Sequence, residues 1–109
     1  MKCCDVIIPV YNAYDATVEC IESVIKNTEF ISNKLYLIND KSPDKNIKPM
    51  LEKYAKKYKF IEFVDNKENL GFVGTVNKGM KLSTNDVVLL NSDTVVTKRW
   101  LKKLIDYDN

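Results

Sequence analysis

The sequence predicts a single α/β domain built on a mainly parallel sheet. Four apolar runs are continuous rather than alternating, which is the pattern of strands covered on both faces. Between them lie stretches whose apolar residues recur at helical spacing. The runs return every ~25–30 residues, about the length of a βαβ unit. With 109 residues the chain has room for one compact domain and not for two.

The first run covers residues 5–10 and is broken by Tyr11-Asn12-Ala13-Tyr14. Asp15 is the expected N-cap of a helix over 16–27, whose stripe is Val18, Ile21, Val24 and Ile25. A second strand at 35–38 ends in Asn39-Asp40-Lys41-Ser42-Pro43-Asp44, a dense cluster of turn residues. In the next helix, near 47–58, Ile47, Leu51, Tyr54 and Tyr58 share one face, and Pro49 is tolerated only in the first turn. A third strand at 60–64 and a loop through Gly71 lead to a helix over 72–82, with Val73, Val76, Met80 and Leu82 expected inward. The fourth strand is 86–90, and a last helix near 98–107 is expected to bury Leu101, Leu104 and Ile105.

Composition narrows the function classes. Apolar residues make up 45%, as in an ordinary globular domain. No apolar run approaches the ~20 residues of a membrane span, and the start lacks the apolar stretch of a signal peptide. A cytoplasmic chain is expected, with peripheral contact at the inner face of the membrane as an option. Three cysteines, two of them adjacent, and no histidine argue against a disulfide framework and a zinc site. Residues 41–59 hold seven lysines against Asp44 and Glu52, a local excess of five positive charges on a chain of net charge +2. A solvated lysine-rich helix face accounts for this, and no nucleic-acid partner is expected.

In a parallel sheet all strands end on one edge, and open α/β sheets bind ligands beyond that edge. The residues at these exits are Tyr11 and Asn12; Asn39, Asp40 and Ser42; Asn66 and Asn69; and Asn91, Ser92 and Asp93. The opposite edge is duller, with Asn33-Lys34, Lys59 and Ser83-Thr84-Asn85 ahead of the strands. Asp93 lies between Val87–Leu90 and Val95-Val96, where a buried carboxylate needs a partner. A hard cation held with phosphate oxygens is one partner, and a cap on the following turn is the other. Asp40 reads first as a turn residue, although a carboxylate at a strand exit can accept a pyrimidine N–H. All three glycines fall within residues 69–79, at 71, 74 and 79. Close backbone approach or tight helix packing explains glycines inside a helix. The spacing is neither that of a phosphate loop nor that of the dinucleotide fingerprint.

Five stretches together resemble one known family. They are Asp5-Val-Ile-Ile-Pro-Val-Tyr-Asn12, Cys20-Ile-Glu-Ser-Val-Ile25, Leu37-Ile-Asn-Asp-Lys-Ser42, Asn69-Leu-Gly-Phe-Val-Gly-Thr-Val-Asn-Lys-Gly79 and Leu89-Leu-Asn-Ser-Asp-Thr-Val-Val96, the last followed by Trp100-Leu101. In order along nearly the whole chain, they resemble glycosyltransferase family 2, above all its rhamnosyltransferase-like members. The resemblance implies a Rossmann-like three-layer α/β/α arrangement, part of the GT-A fold. It implies a donor that is a UDP- or dTDP-sugar, bound with Mg²⁺ or Mn²⁺, and a saccharide or lipid-linked acceptor in cell-envelope or polysaccharide synthesis. By position, Pro9, Val10, Tyr11 and Asn12 border the nucleoside and Asp40 holds the base. Asn69, Gly71 and Asn77 lie near the ribose, diphosphate or sugar, and Asn91 and Ser92 line the same site. The resemblance likewise implies that Asp93 coordinates the metal. Asn91-Ser92-Asp93 departs from the family's D-x-D, and Asn39 and Lys41 replace the first Asp and the Gly of V-D-D-G-S. No carboxylate matches the family's general base, so the chain reads as the nucleotide-sugar-binding half without the acceptor half. The alternative is a non-catalytic interaction module derived from such an enzyme.

Overall fold

Eight elements alternate along the chain: β1 (Cys4–Val10), α1 (Tyr14–Asn27), β2 (Leu35–Asn39), α2 (Ile47–Lys57), β3 (Ile61–Asp65), α3 (Gly71–Leu82), β4 (Asp86–Leu89) and α4 (Trp100–Asp108). The computed structural model describes residues 4–108, with side chains as far as Leu104. The four strands are all parallel and lie in the order β3-β2-β1-β4. The radius of gyration, 13.1 Å, is that of one globule of this length.

The central strand β1 divides the core. Val6, Ile8 and Val10 face a large cluster with Cys20, Ile21 and Val24 of α1 and Ile47 and Leu51 of α2. Trp100 and Leu101 of α4 join the same cluster. Ile7 points the other way and meets Tyr36 and Ile38, with Val64 and Val87 packed beside them. Helix α3 covers that second face. Three layers result, with α1, α2 and α4 on one side of the sheet and α3 on the other. Val6, Ile7, Ile8 and Val10 have no exposed surface, as the continuous apolar run requires.

Several expectations need correction. Asp15 does not cap α1. The cap position is Ala13, in the left-handed region at φ 54°, and the helix begins at Tyr14. Asn12 is anchored to the neighbouring loop, which turns the chain sharply into the helix. In α3 the inward residues are Thr75, Val76 and Gly79, whereas Val73, Met80 and Leu82 are 70%, 50% and 45% exposed. The small side chains let the helix lie close: a Cβ on Gly79 would come within 2.8 Å of Ile7 Cδ1 and 3.0 Å of Ile38 Cδ1. In α4, Leu101 is buried but Leu104 is exposed, and the side chain of Ile105 lies outside the described residues. Strand β4 is one of the two sheet edges, with β3 the other, and is not a strand covered on both faces: Leu89 is 42% exposed.

The edge opposite the strand exits carries a polar tie of its own. Asp5, buried at the start of β1, accepts the backbone N–H of Lys34 and the Asn85 Nδ2 amide on Oδ1, and the Ser83 hydroxyl on Oδ2. One carboxylate thus ties together the loops that enter β2 and β4.

Candidate functional site

The ends of β1, β2 and β4 and the start of α3 converge on an open cleft of about 500 Å³, within the ordinary range for small-molecule sites. Pro9, Val10 and Tyr11 come from β1 and its exit, and Asp40 from the exit of β2. Asn69, Gly71, Phe72 and Thr75 form the α3 wall, and Asn91, Ser92 and Asp93 the β4 wall. Ala13 completes the lining. The side chain of Val10 is sunk in the core, while Tyr11 is half exposed.

Two of the residues expected at the site are not in the lining. Asn77 is exposed on α3. Asn12 braces the exit of β2: its N–H donates to Ser42 Oγ at 2.9 Å, and its Oδ1 accepts from the Asp44 N–H at 3.0 Å. Asn12, Ala13 and Lys41 all hold positive φ, at 56°, 54° and 53°. Such backbone costs about 1–3 kcal/mol per residue and persists only where the surroundings hold it in place. Here the Asn12–Ser42 and Asn12–Asp44 bonds do so.

Asp40 is 5% exposed and belongs to a polar network beneath the cleft. Its Oδ1 accepts the Leu70 N–H at 2.7 Å and the Asn66 Nδ2 amide at 3.1 Å. Asn66, 3% exposed, also donates to Thr75 Oγ1, and its Oδ1 accepts from Lys78 Nζ at 2.9 Å. The Leu70 N–H opens α3, so the carboxylate sits at the positive end of that helix. Asn69 Oδ1 takes the next amide, Gly71 N–H. Gly71, at φ 74° with open space where a Cβ would stand, starts the helix without crowding the cleft.

The β4 wall is a tight turn. Thr94 N–H donates to the Asn91 carbonyl at 3.0 Å, so the turn closes through its backbone and not through the Asp93 side chain. Asp93 is exposed, and its carboxylate accepts no hydrogen bond from the described residues. The desolvation expected of it is absent because Val95 beside it is 59% exposed.

Helix α1 holds this segment from behind. Cys20 Sγ donates to the Asn91 carbonyl, Ser23 Oγ accepts the Val96 N–H, and Asn27 Nδ2 donates to the Val96 carbonyl. Farther on, Trp100 Nε1 donates to Thr28 Oγ1 at 2.7 Å. Burial pushes the Cys20 thiol up to about 11, with the Thr94 N–H opposing and the Asp93 charge adding to the rise. These supports could not be found from sequence spacing, since they join residues about seventy positions apart.

Among the described residues no group of three or more His, Cys, Asp or Glu side chains is arranged to hold a metal. A lone exposed carboxylate beside Ser92 and Asn91 suits a hard cation that takes most of its ligands from water and phosphate oxygens. A second hollow, of about 600 Å³, lies between Tyr14 and α2 and is lined by Asp44, Asn46, Pro49, Met50 and Lys53. It shares no lining residue with the cleft. Among the described residues no helix is long and apolar enough to cross a membrane.

Comparisons with known proteins agree with this architecture. The minor teichoic acid biosynthesis protein GgaB of Bacillus subtilis is 32% identical over 104 residues, which is 94% of this chain and 11% of that protein. The crystal structure of S. aureus TarS 1–349 in complex with UDP-GlcNAc superposes with a TM-score of 0.80 at 25% identity, covering 98% of this chain and 31% of that one. The mannosyltransferase PcManGT from Pyrobaculum calidifontis, solved with GDP-Man and Mn²⁺, shares the fold with a TM-score of 0.86 at 16% identity, over 97% of this chain and 32% of that one. The chain spans 31% or less of the length of the curated relatives it matches. The sheet and its flanking helices have the GT-A architecture of glycosyltransferases. Glycosyl transferase family 2 matches residues 5–108, and the chain belongs to that family.

Proposed function

We propose that these residues form the nucleotide-sugar-binding half of a metal-dependent glycosyltransferase of cell-envelope polysaccharide synthesis. The donor is a UDP- or dTDP-sugar and the acceptor a saccharide or a lipid-linked saccharide. The observation that carries this reading is the pairing, in one cleft, of a buried carboxylate at the β2 exit with an exposed one at the β4 exit.

In this reading Asp40 accepts the N–H of the pyrimidine ring, and Pro9, Val10 and Tyr11 border the nucleoside. Asn69, Gly71, Asn91 and Ser92 flank the ribose, the diphosphate and the sugar. Asp93 holds a divalent cation, Mg²⁺ or Mn²⁺, which when bound supplies Lewis-acid stabilisation of the departing nucleoside diphosphate. No carboxylate of this chain is assigned as the general base, so in this reading the chain by itself binds donor and transfers little sugar. The lysines on and beside α2 support a cytoplasmic protein in peripheral contact with an anionic membrane face.

Calorimetric titration with UDP- and dTDP-sugars, with and without Mn²⁺, tests the assignment. Asp93→Ala is expected to abolish the Mn²⁺-dependent part of the affinity, about tenfold or more, and to leave the fold unchanged. Equal affinity in Asp93→Ala and the wild type would remove Asp93 from the metal site.

A further inference from the structure

We propose that Asn66 and Lys78 set the base preference of the cleft by occupying one oxygen of Asp40. This rests on the reading of the cleft as a nucleotide site and adds to it a rule for which base is accepted.

Both polar atoms of the Asn66 side-chain amide have partners. Its two N–H bonds go to Asp40 Oδ1 and Thr75 Oγ1, both at 3.1 Å, and its oxygen accepts from Lys78 Nζ at 2.9 Å. Its backbone N–H donates to the Asn39 carbonyl. The reverse orientation of the amide would set its oxygen against the Asp40 carboxylate and its NH₂ against the Lys78 ammonium, two repulsive contacts. Lys78 therefore fixes the sense of the amide, although it forms no ion pair with Asp40.

The consequence falls on Asp40. A carboxylate oxygen offers two lone pairs, and on Oδ1 both are taken, by Leu70 N–H and by Asn66. None of the hydrogen bonds among the described residues falls on Oδ2. The cleft thus presents one carboxylate oxygen and not two. Uracil and thymine carry a single N–H between two carbonyls and need one acceptor. Guanine offers two adjacent N–H groups that pair best with both oxygens of a carboxylate. Cytosine has no hydrogen on the corresponding ring nitrogen and would set a lone pair against the charge. A half-occupied carboxylate therefore selects uracil or thymine. Lys78 and Asn66 act through Asp40 and are positioning residues.

The test measures the affinities of the 109-residue chain for UDP, CDP and GDP with Mn²⁺ by calorimetry, in the wild type and in Lys78→Met, Lys78→Arg and Asp40→Asn. Thermal melts of each variant establish that it is folded. The wild type is expected to favour UDP. Lys78→Met lets the Asn66 amide release Oδ1 and is expected to strengthen GDP about tenfold while UDP, which needs only Oδ2, changes much less, shrinking the UDP-to-GDP ratio; Lys78→Arg keeps the ratio. A ratio unchanged in Lys78→Met, or a uniform loss for all three nucleotides, overturns the proposal. If UDP binding meanwhile depends on Asp40, the nucleotide site itself stands. A wild-type preference for GDP or CDP also overturns the proposal. Absence of any nucleotide binding in the wild type overturns the site reading together with it.

Discussion

Cys20 illustrates how a residue outside the cleft shapes it. Its thiol lies under the turn that carries Asp93 and donates to the Asn91 carbonyl. Burial raises it from 9.0 to about 11. A thiol raised in this direction keeps its proton until the pH passes through its folded value, so near pH 8 almost none is the reactive thiolate. Peptide mapping after alkylation at pH 8 should find Cys20 unmodified in the native chain and modified in denaturant. Rapid native labelling would show the site to be open. The sequence marked Cys20 as an unpaired thiol in a helix but could not show what it touches. For Asp93 it supplied the place, at the β4 exit beside the cleft, and the wrong environment. The flanking valines and leucines suggested a buried carboxylate, yet β4 is an edge strand, so Leu89 and Val95 stand partly in solvent. What distinguishes Asp93 is its place on the cleft wall and not relief from burial.

Among the elements, α3 departs furthest from its periodicity. The sequence assigned Val73, Val76, Met80 and Leu82 to the core; of these only Val76 is buried, and Thr75 and Gly79 complete the inward face. Two forces explain the rotation. Thr75 is drawn under the cleft by Asn66, and Gly79 allows the helix to rest on Ile7 and Ile38. Hydrophobic spacing cannot register a face chosen by small residues and a polar anchor. Gly79→Ala is expected to destabilise the fold by about 1 kcal/mol, because overpacking outweighs alanine's better helix propensity. Urea denaturation should show a lower midpoint with an unchanged slope, and a midpoint equal to or above that of the wild type would contradict the packing argument. Elements decided by long continuous runs were legible. Strands β1 to β4 lie within one residue of their expected bounds, and Pro49 does fall in the first turn of α2.

At the scale of the whole molecule, the alternation of strand and helix was enough to foresee a parallel sheet whose strand ends share one edge, and a cleft lies there. The order β3-β2-β1-β4 was not foreseen, since nothing in the local pattern tells which strand lies at an edge. Charge is also a property of the whole molecule. All seven lysines between residues 41 and 59 are exposed, and among the described residues only Lys48 of these forms an ion pair, with Asp65 at 3.3 Å. Basic residues at an anionic surface contribute about 1 kcal/mol each, within a Debye length. Co-sedimentation with phosphatidylserine-containing vesicles should show binding at low salt that is lost near about 0.5 M NaCl, where screening is short-ranged. Binding that is absent, or indifferent to salt, would discard the peripheral contact.

Ser23 and Asn27 grip Val96 from a helix that contributes no side chain to the cleft lining. The wall bearing Asp93 is therefore only as steady as the second half of α1. A random-mutagenesis screen for weakened donor capture on this scaffold should recover substitutions at these two positions beside those in the cleft. Taken without the coordinates, such hits would be mistaken for remote effects, although a single hydrogen bond separates each of them from the segment that follows Asp93.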